Sequence, residues 1–250
     1  LDHASGAGPL MEICPQATLV VHPKGLPHMV DPSKLQAGAT AVYGEAAFAK
    51  AFGKLLPIAK ARCIAAEDGQ TFALGQRQLT FIDTPGHANH HGCIFDHSSG
   101  YLFTGDTFGL GYQEFASESP YIIATTSPVA FDPDAWHNSL DKMLALQPQA
   151  VCLTHFGKHN NPAALAPMLR ASIDAHREIA LAEENNPEEG RHARLSQALE
   201  NVLVKPAIAH CGIEAQQAQY LLAGDIELNA QGLGIWLKRR RKQHSTPAHH

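Results

Sequence analysis

The sequence predicts a mixed α/β fold over residues 1–160, followed by a helical section over residues 161–250. Short apolar segments in the first part are rich in β-branched or aromatic residues and bounded by Gly, Pro or Asp, which is typical of strands separated by turns. From Asn161 onward the apolar residues recur at helical spacing instead. With 250 residues the chain is long enough for one large domain or a domain with an appendage. We therefore expect an α/β domain over 1–160 and a helical C-terminal section with a basic tail over 161–250.

Six segments of the first part have strand character, and two of the turns between them have hairpin composition. The turn candidates are "EDGQ" at 67–70 and "HSSG" at 97–100. The predicted strands are residues 17–22, 62–66, 79–83, 93–96, 101–106 and 150–157.

Two helices are predicted within the α/β part. The first covers 45–56, where "EAAFAKAFGKLL" has helical composition. The second begins after Asp132, a good N-cap, with Pro133 at the first helical position, and runs to about Leu146. The histidines expected within helices, which we predict to be surface residues, are His137, His176 and His192.

The composition excludes several classes of protein. Hydrophobic residues make up 44% and charged residues 17%, and the formal net charge is −5, which is typical of a globular protein and argues against a general nucleic-acid binder. No apolar run reaches membrane-spanning length, and no signal peptide is recognisable. The five cysteines include no CxxC pair, so we expect reduced thiols in a cytoplasmic protein. The expected partner is a small-molecule substrate rather than nucleic acid or membrane, and a homo-oligomer is compatible with the sequence.

Three strands are each followed by an acid or an imidazole. "FIDTPGH" brings His87 through a Pro-Gly turn, "LFTGD" ends in Asp106, and "VCLTHFG" contains His155. Strand ends are rigid, and glycine permits close backbone approach, so ligands placed there can be held at metal distances. The pair Asp2-His3 adds two further ligands. Imidazole and carboxylate together suit zinc, iron or manganese better than calcium or magnesium, so we predict a metal site.

The order of these motifs resembles the metallo-β-lactamase superfamily, and within it the glyoxalase-II-like hydrolases. The segments "DTPGH", "FTGD" and "THFG" follow "DHASG", and the resemblance covers Leu1 to about Gly157. The family's N-terminal motif is HxHxDH, of which this chain has only "LDH". We therefore expect the chain to begin inside the signature. The implied fold is the αββα sandwich of that family without its first strands, followed by the helical section.

The resemblance also implies a ligand set. Asp2, His3 and His155 would hold one metal, Asp106 would bridge to a second, and His87 would join the two histidines of HxH on that second metal. A longer protein would then be binuclear, with Zn²⁺ as the expected cofactor and iron or manganese as alternatives. Two such metals lower the pKa of a bridging water and polarise a substrate oxygen. Asp2, which would orient the resulting hydroxide, and the bridging Asp106 are the predicted catalytic residues.

The favoured function is a metal-dependent hydrolase that uses a metal-activated hydroxide on a small ester, thioester or lactone. One alternative is a mononuclear iron persulfide dioxygenase, whose relatives use one N-terminal His with the equivalents of His87 and Asp106 and do not need His155. Another is an inactive, metal-poor binding or scaffold protein. Candidate substrate contacts lie in the loops beside the motifs: His22, Lys24, His91, Tyr112, Tyr121 and His159.

Overall fold

The computed structural model describes residues 1, 3–117, 119–126 and 130–245. Asp2, one of the predicted ligands and catalytic residues, lies outside the described residues. None of the described helices combines the length and the apolar character that crossing a membrane requires.

A six-stranded sheet forms the centre of the α/β part. Its strand order follows the sequence, β3-β4-β5-β6-β7-β8, and every neighbouring pair is antiparallel except β6 and β7, which run parallel. The strands are β3 Thr71–Leu74, β4 Arg77–Asp83, β5 Gly92–Asp96, β6 Tyr101–Gly105, β7 Ala150–Leu153 and β8 Gly157–Asn160.

This pairing brings three strand ends to one edge of the sheet. β4 and β6 both pair antiparallel to β5, so they run in the same direction, and β7 runs parallel to β6. The carboxyl ends of β4, β6 and β7 therefore meet at a single edge, together with the amino end of β5. The predicted ligands that follow these strands are brought to the same edge.

A second, two-stranded sheet lies in the N-terminal part of the chain. β1 Leu19–Val21 pairs parallel with β2 Cys63–Ala65. The helices before and between these strands are α1 Ala7–Ile13, α2 Leu26–Val30, α3 Ser33–Tyr43 and α4 Glu45–Phe52, with a 3₁₀ turn at Lys60–Arg62. Two sheets, one of them short, together with helices fit the predicted sandwich without its first strands.

Four helices cover the large sheet and complete its core. They are α5 Pro133–Ala145, α6 Pro162–Ala182, α7 Arg191–Cys211 and α8 Ala215–Ser245, and a 3₁₀ turn lies at Gln113–Phe115. One buried cluster joins Leu102 and Val151 of the sheet to Trp136 of α5, Leu169 of α6 and Leu233 of α8. The change from strands to helices occurs at the predicted residue, but core residues come from both sides of it.

Several element predictions were wrong for local reasons. "EDGQ" does not close a hairpin, because it links β2 in one sheet to β3 in the other; the hairpin is β3-β4, turning at Gly75 with φ +59°. The segment 150–157 is broken at residues 154–156, where the chain reverses into β8. The strands β3 and β8 and the helices α1 to α3 were missed, since they are short and mostly exposed or half-buried. His176 was predicted to be exposed, but it is fully buried between helices.

Candidate metal centre

The three predicted ligands of the large sheet lie within four residues of its strand ends. His87 lies four residues beyond β4, Asp106 directly follows β6, and His155 follows β7 by two residues. His3 comes from the turn that precedes α1. The sheet edge therefore collects three imidazoles and one carboxylate from four separate stretches of chain.

Asp106 lies at the centre of this group. Its Oδ2 is 2.9 Å from Nε2 of His3 and 3.6 Å from Nε2 of His87, and its Oδ1 is 3.7 Å from Nε2 of His155. Ligand atoms of His3, Asp106 and His155 all lie within 4.8 Å of one another, close enough to share one ion. His87 approaches the same carboxylate oxygen as His3. The four predicted ligands that the structure describes therefore lie together, and their roles as ligands stay a prediction.

Two features of the group fit a bound cation. Oδ1 of Asp106 is buried and has no hydrogen-bond partner among the described residues, which is costly for a charged oxygen. The Nδ1–H of His87 donates to the carbonyl oxygen of Thr125 at 2.9 Å, so the lone pair of its Nε2 is directed towards Asp106. A lone pair facing a carboxylate is the arrangement that a metal between them requires.

The charge state of Asp106 suits the same role. Burial raises the pKa of this carboxyl group, but the hydrogen bond from His3 and the electrostatic effect of the His3, His87 and His155 imidazoles outweigh burial and hold the pKa below its ordinary value. Asp106 is therefore ionised at neutral pH, as a metal ligand must be.

His91 supports Asp106 from behind. Its Nε2 accepts the backbone N–H of Asp106 at 3.1 Å, so its Nδ1 carries the proton and donates to Oγ1 of Thr107 at 2.8 Å. Burial lowers the pKa of His91 to about 3, which keeps the ring neutral. Gly105, with φ +51°, makes room for the ring, since a Cβ there would lie 2.2 Å from Nε2 of His91. With both ring nitrogens engaged, the structure gives His91 a supporting place, and its predicted substrate contact finds no support.

Helix α5 connects two of the ligand loops. Trp136 donates its indole N–H to the carbonyl of Thr107 at 2.6 Å, and Ser139 donates its hydroxyl to the carbonyl of Pro85 at 2.6 Å. The Trp136 ring also packs edge-on against His87, with centroids 5.7 Å apart. The Pro85–His87 turn and the Asp106–Thr107 turn are thus held by one rigid element.

An aromatic wall, formed by Tyr112 and Phe156, borders the site next to His155. The two rings lie 4.3 Å apart, and Phe156 is 38% exposed with its backbone at φ +78°, a strained value for a bulky residue. Tyr112 donates its hydroxyl to Oδ2 of Asp225 on α8 at 2.7 Å, and burial together with Asp225 raises the pKa of this hydroxyl. The C-terminal section therefore fixes one side of the space in front of the ligands.

The other predicted substrate residues are distributed around this centre. Nε2 of His22 is 3.2 Å from Oδ1 of Asp83, and its Nδ1 accepts the backbone N–H of Lys24. The exposed Lys24 ammonium donates to the carbonyl of Asn89 in the loop that carries His87. Nε2 of His159 is buried without a hydrogen-bond partner among the described residues, against Gly111.

Tyr121 lies in the core rather than on an open wall. It is 6% exposed and donates its hydroxyl to the carbonyl of Leu203 on α7 at 3.2 Å. This position ties the loop after β6 to the C-terminal helices. The substrate contact predicted for Tyr121 therefore has no support in the structure.

Sequence reasoning missed the residues that support the centre from a distance in the chain. Phe156 carried a usable signal, because it adjoins His155 and precedes a glycine. Thr125, Asp225 and Asn229 carried none, since their places depend on how α6 and α8 pack.

Comparison with known proteins identifies the family of this chain. The family profile described as the metallo-beta-lactamase superfamily matches residues 1–155. A curated relative, the metallo-beta-lactamase fold-containing protein ST1585 of Sulfurisphaera tokodaii, is 31% identical over 96 residues, which are 38% of this chain and 33% of the relative. The match thus spans a third of that relative's length.

Solved structures show the same fold at low sequence identity. The archaeal superfamily protein ST1585 from Sulfolobus tokodaii aligns with a TM-score of 0.57 at 22% identity, covering 90% of this chain and 73% of that one. The family protein TTHA1429 from Thermus thermophilus aligns with a TM-score of 0.56 at 17% identity, covering 96% of this chain and 71% of that one.

Histidines and a carboxylate meet at one edge of the sheet in this α/β fold, which is the arrangement of a metal-binding protein. The family match identifies the superfamily. The chain belongs to the metallo-β-lactamase superfamily.

Proposed function

We propose that this chain is the catalytic part of a metal-dependent hydrolase acting on a small ester, thioester or lactone. The observation that carries the proposal is the convergence of His3, His87 and His155 on the buried carboxylate of Asp106. Superfamily membership supports it, because this superfamily consists largely of metal-dependent hydrolases. Residues 1–160 would form the metal-binding domain, and the helices of 161–250 would complete the substrate pocket.

The described residues would divide the metal ligation between them. His3, His155 and Asp106 would hold one ion, and His87 would contribute to a second ion that shares Asp106, with zinc as the proposed metal and Asp2 as a further ligand. An ion held there would let water act as a nucleophile at neutral pH and would polarise a substrate carbonyl. No serine or cysteine nucleophile is then required.

The chain's own residues would prepare the site for the reaction. His91 holds the backbone of Asp106 through a neutral ring, so the carboxylate keeps its direction. The aromatic wall of Tyr112 and Phe156 would receive the apolar part of the substrate and exclude water beside His155. The strain at Phe156 is consistent with a side chain held for binding rather than for packing.

Two predicted polar contacts remain proposals within this hypothesis. His159 lies behind Gly111, next to the aromatic wall, and its buried Nε2 would accept a hydrogen bond from a substrate or water. Lys24 reaches the loop of His87 from outside and would meet an anionic substrate group. We also propose that nucleic acids and membranes are not its targets.

The place of His155 favours a hydrolase over a mononuclear iron dioxygenase. His155 and His3 lie on the same carboxylate, with their rings 5.3 Å apart. The dioxygenase hypothesis leaves His155 without a metal to bind, whereas the hydrolase hypothesis uses it.

Zinc binding and hydrolysis test this proposal together. The dissociation constant of zinc would be measured by competition with a chromophoric chelator, for the wild type, His155→Ala and the exposed control His192→Ala. Because His155→Ala removes a ligand, we expect zinc affinity to fall by more than the 10–100-fold typical of residues that only support a ligand. His192, which pairs with Glu227 on the surface, should leave the affinity unchanged.

Hydrolysis would then be assayed with a panel of esters, thioesters and lactones. We expect turnover that a chelator abolishes and added zinc restores. If the protein instead binds iron selectively and consumes oxygen when a persulfide is supplied, the dioxygenase hypothesis replaces the hydrolase hypothesis. A wild type that binds no divalent metal would refute both enzymes and leave a scaffold protein.

A further inference from the structure

The orientation of His87 depends on a backbone carbonyl in the segment after β6. Its Nδ1–H donates to the carbonyl oxygen of Thr125 at 2.9 Å, and the bond is buried. This acceptor selects the tautomer that turns the Nε2 lone pair towards Asp106. The orientation of the His87 ring therefore depends on the position of residues 124–126 as well as on its packing against Trp136.

Residues 124–126 lie outside the regular strands and are held by a side chain of α8. The fully buried Oδ1 of Asn229 accepts the backbone N–H of Thr126 at 2.7 Å. The same oxygen accepts the hydroxyl of Thr125 at 3.4 Å, and the hydroxyl of Thr126 lies 3.2 Å from the backbone carbonyl oxygen and 3.3 Å from Oδ1 of Asn229. Asn229 thus supplies the acceptor that backbone pairing supplies elsewhere in the sheet.

The amide of Asn229 is itself oriented by α6. Its Nδ2–H donates to Nε2 of His176 at 3.3 Å, and the Nδ1–H of His176 donates to the carbonyl of Ser172 at 2.7 Å. The hydroxyl oxygen of Ser172 accepts the backbone N–H of Ala124 at 3.0 Å. Two helices of the C-terminal section therefore hold the segment from both ends. Neutral His176 is required for this order of donors, and burial lowers its pKa to about 4.

We propose that Asn229 is a positioning residue for the metal ligand His87, acting through the carbonyl of Thr125. Asn229 and His87 are 142 positions apart in the sequence. The inference rests on the proposed metal centre, and it adds a role for the helical section: this section fixes a ligand of the first domain. Loss of Asn229 would leave the N–H of Thr126 unsatisfied, let residues 124–126 relax, and allow the His87 ring to change tautomer or rotate.

The test uses Asn229→Leu, which keeps the shape and removes the polar atoms, with the exposed Asn201→Leu as the matched control. The first readout is the imidazole nitrogen spectrum of the metal-free protein, in which His87 should appear as a pure Nδ1–H tautomer. We expect Asn229→Leu to shift this signal towards a mixture of tautomers. The second readout is zinc affinity, which should fall 10–100-fold, the range found for residues that support metal ligands. Asn201→Leu should change neither readout.

Two further variants keep the proposal falsifiable if Asn229→Leu does not fold. Asn229→Asp retains the acceptor for Thr126 and should keep most of the wild-type His87 signal. Ser172→Ala removes only the hydroxyl that accepts from Ala124, and it should shift the signal and weaken zinc binding at least threefold.

Unchanged tautomer and affinity in both Asn229→Leu and Ser172→Ala would overturn the positioning role. A wild type without zinc affinity but with the expected tautomer change would instead refute the proposed metal function and keep the network.

Discussion

The carboxylate of Asp106 lies 6% exposed among three imidazole rings, and this burial explains much of the site at the scale of single residues. A buried charge is tolerated only where it is paired or coordinates a metal. His3 supplies one hydrogen bond, while Oδ1 has no partner of that kind within the described chain. A cation that bridges these atoms resolves the imbalance, so the same residues that look strained without metal form a suitable site with it.

His176 provides a pH-dependence prediction at the residue scale. Burial lowers its pKa from 6.5 to about 4, so the folded protein keeps it neutral where the unfolded chain is already protonated. Below pH 6.5 the unfolded state therefore binds more protons, and stability falls as the pH falls from 6.5 towards 4. The free energy of unfolding that this residue alone removes over that range is on the order of 3 kcal/mol.

Denaturant unfolding of metal-free wild type and His176→Gln between about pH 4 and pH 7 would check this. We expect the variant to lose less stability over the range by roughly 3 kcal/mol, while the contribution of His91, present in both proteins, cancels. If the free energy of unfolding changes with pH in the same way for both proteins, His176 has an ordinary pKa in the folded state.

At the scale of elements, the first turn of α5 packs directly on Gly86, in the turn that carries His87. Gly86 has φ +137°, and a Cβ there would lie 2.3 Å from the Cα of Trp136. The carbonyl of Gly86 also accepts the backbone N–H of Asp132, the N-cap of the helix. The turn that presents His87 and the start of α5 are therefore built against each other.

Gly86→Ala should damage both stability and the metal centre. Positive φ and the clash with Trp136 together predict a loss of about 2 kcal/mol or more in unfolding free energy. The control is Gly69→Ala, which has φ +77° but no atom within 4 Å of the added Cβ, and which carries the backbone strain without the clash.

Zinc affinity, measured alongside unfolding, separates the two effects. We expect Gly86→Ala to weaken zinc binding because it moves His87, whereas Gly69→Ala should bind zinc as the wild type does. Equal losses of stability and equal affinities in the two variants would show that the contact with Trp136 is not important.

The residues that meet at the candidate centre could be predicted from sequence because each one belongs to a short motif at the end of a strand. His87, Asp106 and His155 needed only strand direction and a following or preceding glycine to be recognised. Their supports could not be predicted in this way. Asn229 acts on residues more than 100 positions away, and a helix packed on several sides gives no periodic signal for which face is buried, which is also why His176 was misplaced.

At the scale of the whole molecule, the helical section is part of the site rather than an appendage. Asp225 fixes the aromatic wall through Tyr112, and Asn229 holds the segment that orients His87. The core runs through both sections, from Val151 of the sheet to Trp236 of α8. Changes in α8 should therefore reach the metal centre without touching a ligand.

The location of bound zinc tests the central claim most directly. Crystals of the zinc-loaded protein would be measured at the zinc absorption edge. We expect an anomalous peak about 2.0–2.2 Å from Nε2 of His3, Nε2 of His155 and a carboxylate oxygen of Asp106. Zinc found only at surface histidines such as His192, with no zinc next to Asp106 and its hydrogen bond to His3 intact, would contradict the account.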